Sequence, residues 1–161
     1  MNSSDTKAQS SMWRALAAIY VIAVVFNLMW ELAQAPLYIG MNDFRQSWRV
    51  CLLATLGDGL LLLLIFAVGW LLLRRRDWFV RPGVRGYALM LVTGLVIAVS
   101  IELAAVNVMG RWEYTKQMPL VPGLGVGLIP VAQMLMLPPL IFRVVTVWLE
   151  RAKTRDAKRN V

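Results

Sequence analysis

Three carboxylic acids lie inside long apolar stretches of this chain, with no lysine or arginine at the same depth. Glu31, Asp58 and Glu102 fall in three different stretches. An acid inside a membrane helix costs about 2.5–3.5 kcal/mol on insertion scales and usually faces the bundle interior for a functional reason. Burial and mutual repulsion are expected to keep at least one of them protonated. Such a group can donate a proton to an apolar substrate, hold a cationic one or bind a hard metal ion.

Polar and aromatic residues accompany these acids. One face of the first stretch carries four polar residues at helical spacing, namely Asn27, Glu31, Gln34 and Tyr38. The candidate catalytic residues are Glu31, Asp58 and Glu102. The candidate substrate-binding residues are Asn27, Trp30, Gln34, Tyr38, Asn107, Trp112, Tyr114 and Gln133, with Trp112 to Tyr114 forming a lid in an outer loop. Each amide taken alone can equally be an interhelical hydrogen bond that only stabilises packing.

Four apolar segments are each long enough to cross a bilayer, which takes about 20 helical residues. They cover 15–38, 51–73, 87–109 and 129–149. Backbone groups in lipid must be hydrogen-bonded within the segment, so helices are predicted, and the short alternating segments of a barrel are absent from the sequence. The predicted fold class is therefore all-α. It is an integral membrane bundle of four transmembrane helices over 15–149, with an N-terminal tail at 1–14 and a basic tail at 150–161.

The segment 119–130 before the fourth helix is apolar but rich in proline and glycine. Three prolines and three glycines make a continuous helix there unfavourable. The sequence leaves two alternatives for this segment, a re-entrant segment and one that lies on the membrane surface. Pro130 is predicted to begin the fourth helix. Pro138 and Pro139 predict a kink in that helix. Such a kink either widens the bundle into a pocket or is a packing feature only.

The polar groups of the four helices share one depth. With a rise of about 1.5 Å per residue, Glu31, Asp58 and Glu102 each lie about 10 Å inside the outer boundary of their span. Gln133 comes to about 6 Å. Because the helices alternate in direction, the common depth does not follow from sequence position. It predicts a polar pocket in the outer half of the bundle.

Charge and composition predict orientation and exclude several functions. The sequence is 59% hydrophobic and 16% charged, with a net charge of +8. Thirteen of the 17 basic residues flank one side of the predicted spans and four flank the other, which places both termini in the cytoplasm and favours a bacterial inner membrane. The basic blocks suit anionic lipid rather than nucleic acid. One cysteine and no histidine exclude an internal disulfide, a histidine-held haem and a Cys/His zinc site.

The stretch Asn27-Leu28-Met29-Trp30-Glu31 resembles the N-x-x-W-E stretch of small integral-membrane terpene cyclases of the fungal meroterpenoid type. The layout also resembles the sterol isomerase (EXPERA) group. Both resemblances imply a lipid-like substrate and carbocation chemistry, with Glu31 as the proton donor and Trp30 as cation-π support. The likeness extends over five residues; the cyclases have more helices, and the sterol isomerases use a histidine that this chain lacks.

Three hypotheses remain open from the sequence. The first is an enzyme that protonates, and so isomerises or cyclises, a hydrophobic isoprenoid-like molecule from the bilayer. The second is a binder or exporter of cationic or lipophilic small molecules. The third is an accessory membrane subunit whose polar layer is structural. We expect membrane lipids as partners, no nucleic acid, no cofactor and no resident metal, and homo-oligomerisation is left open.

Overall fold

The chain folds into four long helices. The structure, a computed structural model, describes residues 3–41 and 43–159. The helices are α1 (Ser3–Gln34), α2 (Phe44–Leu73), α3 (Gly83–Leu103) and α4 (Leu128–Arg159). A 3-10 turn (Ala35–Leu37) follows α1, and a π-helical turn (Ala104–Val108) follows α3. Within the described residues there are no β-strands, only two isolated bridges.

The predicted all-α class and the four spans are confirmed at the level of length and composition. The candidate spans are Ser11–Leu37, Ser47–Leu73, Gly83–Val108 and Leu128–Arg155. Each begins within four residues of its predicted start. The helices continue past the spans, so that α1 already begins in the predicted N-terminal tail and α4 continues through most of the basic one. Residues 1–2 and 160–161 of those tails lie outside the described residues.

One half of the bundle, at the α2–α3 connection, has a closed apolar core; we call it the closed half. Trp78 in this connection is only 1% exposed, and its Nε1 donates to the Phe66 carbonyl at 3.1 Å. Its ring occupies the space beside Gly69, where an added Cβ would lie 2.2 Å from it. Phe142 of α4 packs edge-on against Trp78, with ring centroids 5.5 Å apart. Aromatic and aliphatic side chains from all four helices thus seal this end.

Helices α3 and α4 approach closely where α4 contains its prolines. Pro138 has no N–H, so the carbonyl of Met134 four residues earlier loses its helical partner. A Cβ added at Gly94 of α3 would lie 2.2 Å from that carbonyl oxygen. The glycine therefore lets the α3 backbone approach the freed carbonyl closely. Helix α4 runs uninterrupted through Pro138 and Pro139, and the predicted kink stays a prediction.

The opposite half, which we call the open half, ends in two paired connections. Ile39 N donates to Glu113 O and Thr115 N to Leu37 O, both at 2.9 Å, which joins the α1–α2 connection to the α3–α4 connection. Residues 119–128 fold back on themselves through bonds from Val121 N to Val126 O and from Leu128 N to Pro119 O. The Pro/Gly-rich segment is thus a tight reversal, followed by α4 with Pro130 in its first turn.

Candidate functional site

The three acids line one cavity in the open half. Glu31 of α1, Asp58 of α2 and Glu102 of α3 all contribute to the wall of a cavity of about 410 Å³. That volume lies within the range of small-molecule sites, roughly 300–1,000 Å³. Four other predicted site residues share the wall: Gln34, Tyr38, Trp112 and Gln133. The structure therefore brings together the groups that helix rise had placed at one depth.

Gln133 is the centre of the hydrogen bonds between the helices. Its Nε2 donates to Asn27 Oδ1 at 2.8 Å and to Asp58 Oδ2 at 3.0 Å. Its Oε1 accepts from Gln34 Nε2 at 3.2 Å. Three residues from α1 and α2 are thus joined to one side chain of α4. Because all three bonds are buried or partly buried, they fix the relative rotation of these helices.

Gln34 carries the network on to Glu31. Its Nε2 donates to Glu31 Oε1 at 2.7 Å, while its Oε1 is buried without a hydrogen-bond partner among the described residues. Asn27 is oriented by its own helix, since its Nδ2 donates to the Ala23 carbonyl at 2.8 Å. Amide N–H groups therefore face Glu31 and Asp58, an arrangement that suits an ionised carboxylate and the carbonyl oxygen of a protonated one alike.

Glu102 is held differently, by the α3–α4 connection. The Tyr114 hydroxyl donates to Glu102 Oε2 and accepts from Gly127 N at 3.0 Å. Burial and the hydrogen bond to Glu102 raise the pKa of the Tyr114 hydroxyl, so it remains a donor. The π-helical turn starts two residues after Glu102, and such turns are frequent at functional sites. Tyr114 therefore lies behind Glu102 rather than in the cavity wall, as a positioning residue.

Aromatic rings cover the end of the cavity that lies at the paired connections. Tyr38 packs edge-on against Trp112 with centroids 6.2 Å apart, and it lies 5.7 Å from the ring of Tyr114. Burial raises the pKa of the Tyr38 hydroxyl. Trp112 Nε1 is buried without a hydrogen-bond partner in the described part of the chain. These rings occupy the place of the predicted lid.

Four predicted site residues are not in the cavity wall. Asn27 and Tyr114 are hydrogen-bonded to wall residues, whereas among the described residues Trp30 and Asn107 are not. Trp30 packs against the apolar core of the closed half, and Asn107 is exposed on the π-helical turn. Neither lines the wall. Depth along the helix placed both near the acids, but consecutive helical residues point about 100° apart, so Trp30 and Glu31 face different surroundings. The substrate contact of these two residues stays a prediction, and the wall that holds the acids does not include them.

The sequence did not identify Arg111 as a site residue, although it lines the cavity. The chain turns at Gly110, which has a positive φ of 55°, and Arg111 N donates to the Ala105 carbonyl at 2.9 Å. Arg111 had been counted only as an outer basic residue. A glycine directly after a span, the residue that adopts positive φ most readily, is the sequence signal that could have indicated a reversal here. Among the described residues, no ion pair involves the three acids.

Within the described residues, no group of three or more His, Cys, Asp or Glu side chains could hold a metal ion. Comparisons with family models, with curated proteins and with solved structures found no match for this chain. The functional proposal therefore depends on the geometry and chemistry of the cavity.

Proposed function

We propose that this chain is an integral membrane enzyme that isomerises or cyclises a hydrophobic, isoprenoid-like molecule by protonating it. The observation that carries the proposal is that carboxyl groups from three different helices, Glu31, Asp58 and Glu102, line one cavity with largely apolar walls. Acids inside a membrane bundle cost stability and are kept mainly where function needs them. Acid catalysis of an apolar substrate needs a protonated carboxyl, a second carboxylate and exclusion of bulk water.

Each acid has a role in this mechanism. Glu31 donates its proton to one carbon of a substrate double bond; the π electrons form the new C–H bond and the other carbon becomes cationic. The carboxylates of Asp58 and Glu102 stabilise that cation electrostatically. A carboxylate then removes a proton from a neighbouring carbon, which restores a double bond in a new place or after ring closure. Atoms are conserved, so the product is an isomer of the substrate.

The membrane setting belongs to the same proposal. It includes a multi-pass arrangement with both termini in the cytoplasm, which is supported by the 13 basic residues on the side of the closed half and the tails, against four on the side of the open half. The cavity then lies in the outer leaflet of a cell membrane, and the substrate is a molecule dissolved in that leaflet. The resemblance of the Asn27 to Glu31 stretch to membrane terpene cyclases supports the same substrate class.

A second candidate function is the binding or export of lipophilic cations. It is favoured by the lack of any ion pair to the three acids in the described part of the chain, because an unpaired acidic cavity attracts a cation. The two functions differ in outcome, since a binder leaves the ligand's covalent structure unchanged.

The test compares total lipid extracts of cells that express the wild type, Glu31→Gln or Glu150→Gln, by chromatography and mass spectrometry. Glu150→Gln is the matched control because Glu150 is exposed near the end of α4. We expect the wild type and the control to convert one lipid into an isomer of equal mass and different retention, and Glu31→Gln to lack that product. Identical extracts from a folded Glu31→Gln variant and the wild type would refute the enzyme, and retention of an unaltered cationic lipid would favour the binder.

A further inference from the structure

Gly57, in the interior of α2, has open space where a side chain would be. Within the spans, Gly59, Gly69, Gly86 and Gly94 each allow a close approach, since an added Cβ would lie 2.2–2.7 Å from a neighbouring ring, proline or carbonyl. An added Cβ at Gly57 would meet nothing within 4 Å. A glycine inside a helix costs about 1 kcal/mol relative to alanine. At Gly57 no helix contact offsets that cost, and what the glycine provides is open space.

This space leads into the cavity from the side. Gly57 lines the cavity together with Leu53 and Ala54 of α2 and Ile101 of α3. All four residues are also exposed on the outside of the bundle, Leu53 by 73%. They lie within the candidate spans of α2 and α3, and these two helices contact each other less extensively than α1 contacts α2. The same residues thus face both the surface that meets lipid and the acids.

The other approaches to the cavity are covered. The paired connections and the rings of Tyr38 and Trp112 lie over the outer end. Trp78 and the apolar core seal the closed half. Both ends of the cavity are thus closed by packed groups.

We propose that the cleft between α2 and α3 is a lateral portal through which a membrane-dissolved apolar chain reaches the three acids, with Gly57 setting the width of its threshold. The occupant is a slender hydrocarbon chain from the bilayer, because Leu53, Ala54 and Ile101 offer it an apolar passage without charged groups. A chain of this kind meets Glu31 and Asp58 end-on, at the place where the proposed function needs its double bond.

A lipophilic carbodiimide tests the portal through access alone. Dicyclohexylcarbodiimide dissolves in the bilayer, and a protonated carboxyl adds across one of its C=N bonds. The carboxyl oxygen bonds to carbon and the proton moves to nitrogen, and rearrangement gives a stable N-acylurea that keeps the whole mass of the reagent. Protein reconstituted in phosphatidylcholine vesicles is labelled over time, and the modified acid is identified by peptide mass spectrometry. A charged, water-soluble carbodiimide serves as the parallel reagent.

The informative variant is Gly57→Phe. The open space beside Gly57 and the better helix propensity of phenylalanine let this variant fold, which an unchanged melting temperature verifies. We expect the lipophilic reagent to label the three acids more slowly by about tenfold or more, because it must displace a phenylalanine ring that overpacks the passage. Leu60→Phe is the matched control, because Leu60 is exposed on α2 and does not line the cavity. It should label at the wild-type rate.

Three results would overturn the portal: labelling of Gly57→Phe at the wild-type rate, faster labelling by the water-soluble reagent, or no labelling of the wild type even at mildly acidic pH. The inference depends on the proposed function only for the chemistry of the natural occupant. The two proposals can fail separately. If labelling depends on the portal but cells with and without the protein give identical lipid extracts, the enzyme is refuted and the portal stands.

Discussion

The two halves of the bundle use the same four helices but fill the space between them differently. In the closed half, Trp78, Phe142 and neighbouring aliphatic side chains pack densely, and the polar Nε1 of Trp78 is satisfied by a carbonyl. In the open half, carboxylates and amides line a cavity of about 410 Å³. Dense packing is what holds helices together in lipid. The difference indicates that the closed half supplies stability, and under the proposed function the open half gives up some of it for chemistry.

The largest effect is expected from breaking the closed half. Trp78→Ala should lower the free energy of unfolding by about 3–5 kcal/mol, as large-to-small changes in cores do, because the ring fills the space between Gly69 and Phe142. The measurement is thermal unfolding in lipid nanodiscs followed by circular dichroism. Trp78→Phe keeps an aromatic ring and should recover most of the loss. An Ala variant as stable as the wild type would show that the stabilising core lies elsewhere.

Removing the centre of the polar network should have the next largest effect. Gln133→Leu leaves Asn27, Gln34 and Asp58 each without one hydrogen bond. A buried polar group without a partner costs about 1–3 kcal/mol, and two of the three can turn toward the cavity, so we expect a total of about 2–4 kcal/mol. Gln117→Leu is the control, because it makes the same glutamine-to-leucine substitution at an exposed site. Equal stability of the two variants would mean that the network does not hold the helices.

The backbone contact between α3 and α4 should be sensitive to a single methyl group. Gly94→Ala places a Cβ 2.2 Å from the Met134 carbonyl oxygen and should cost about 1–3 kcal/mol through the shift of a helix. Gly57→Ala introduces the same atom into open space and should be neutral or slightly stabilising. Paired unfolding curves of the two variants check this contrast. Equal destabilisation would show that the two glycines do not differ in their packing.

The smallest effect is expected at the link between Glu102 and the outer connection. Tyr114→Phe removes a donor to Glu102 and an acceptor from Gly127 N, which should cost about 1 kcal/mol. The pKa of Tyr114 is raised in the folded state. Its contribution to the free energy of unfolding is therefore complete below its ordinary pKa of 10.0 and falls as the pH rises above that value. Unfolding curves at neutral and alkaline pH should therefore show a shallower alkaline loss for the variant. An unchanged alkaline slope would contradict this placement of Tyr114.

Part of this comparison could be predicted from the sequence. Segment length and hydropathy predict four helices, and helix rise alone brings Glu31, Asp58 and Glu102 to one level with Gln133. These quantities are local, so they do not depend on how the helices are rotated. The hydrogen bonds of Gln133 to Asn27 and Asp58 do depend on rotation, and no sequence pattern specified them.

The connections were the least predictable part. Tyr114 was predicted as a substrate-binding residue, and the sequence did not indicate its hydrogen bonds to Glu102 and Gly127 N, because these depend on the reversal of the connection. Arg111 reaches the cavity through the turn at Gly110, which the charge count could not reveal. Trp30 and Asn107 were near the acids in depth but face elsewhere. Loop reversals and helix rotation arise from tertiary contacts that a single sequence does not display.

The central claim is that the acids of the open half serve chemistry at the expense of stability, and the triple variant Glu31→Gln, Asp58→Asn and Glu102→Gln tests it most directly. Its melting temperature in nanodiscs and the lipid extract of cells that express it are measured together. We predict a melting temperature equal to or above that of the wild type, since burial of three acids and their repulsion are relieved, and loss of the isomeric lipid product. A clearly lower melting temperature with an unchanged lipid extract would contradict the claim and assign the polar layer a structural role.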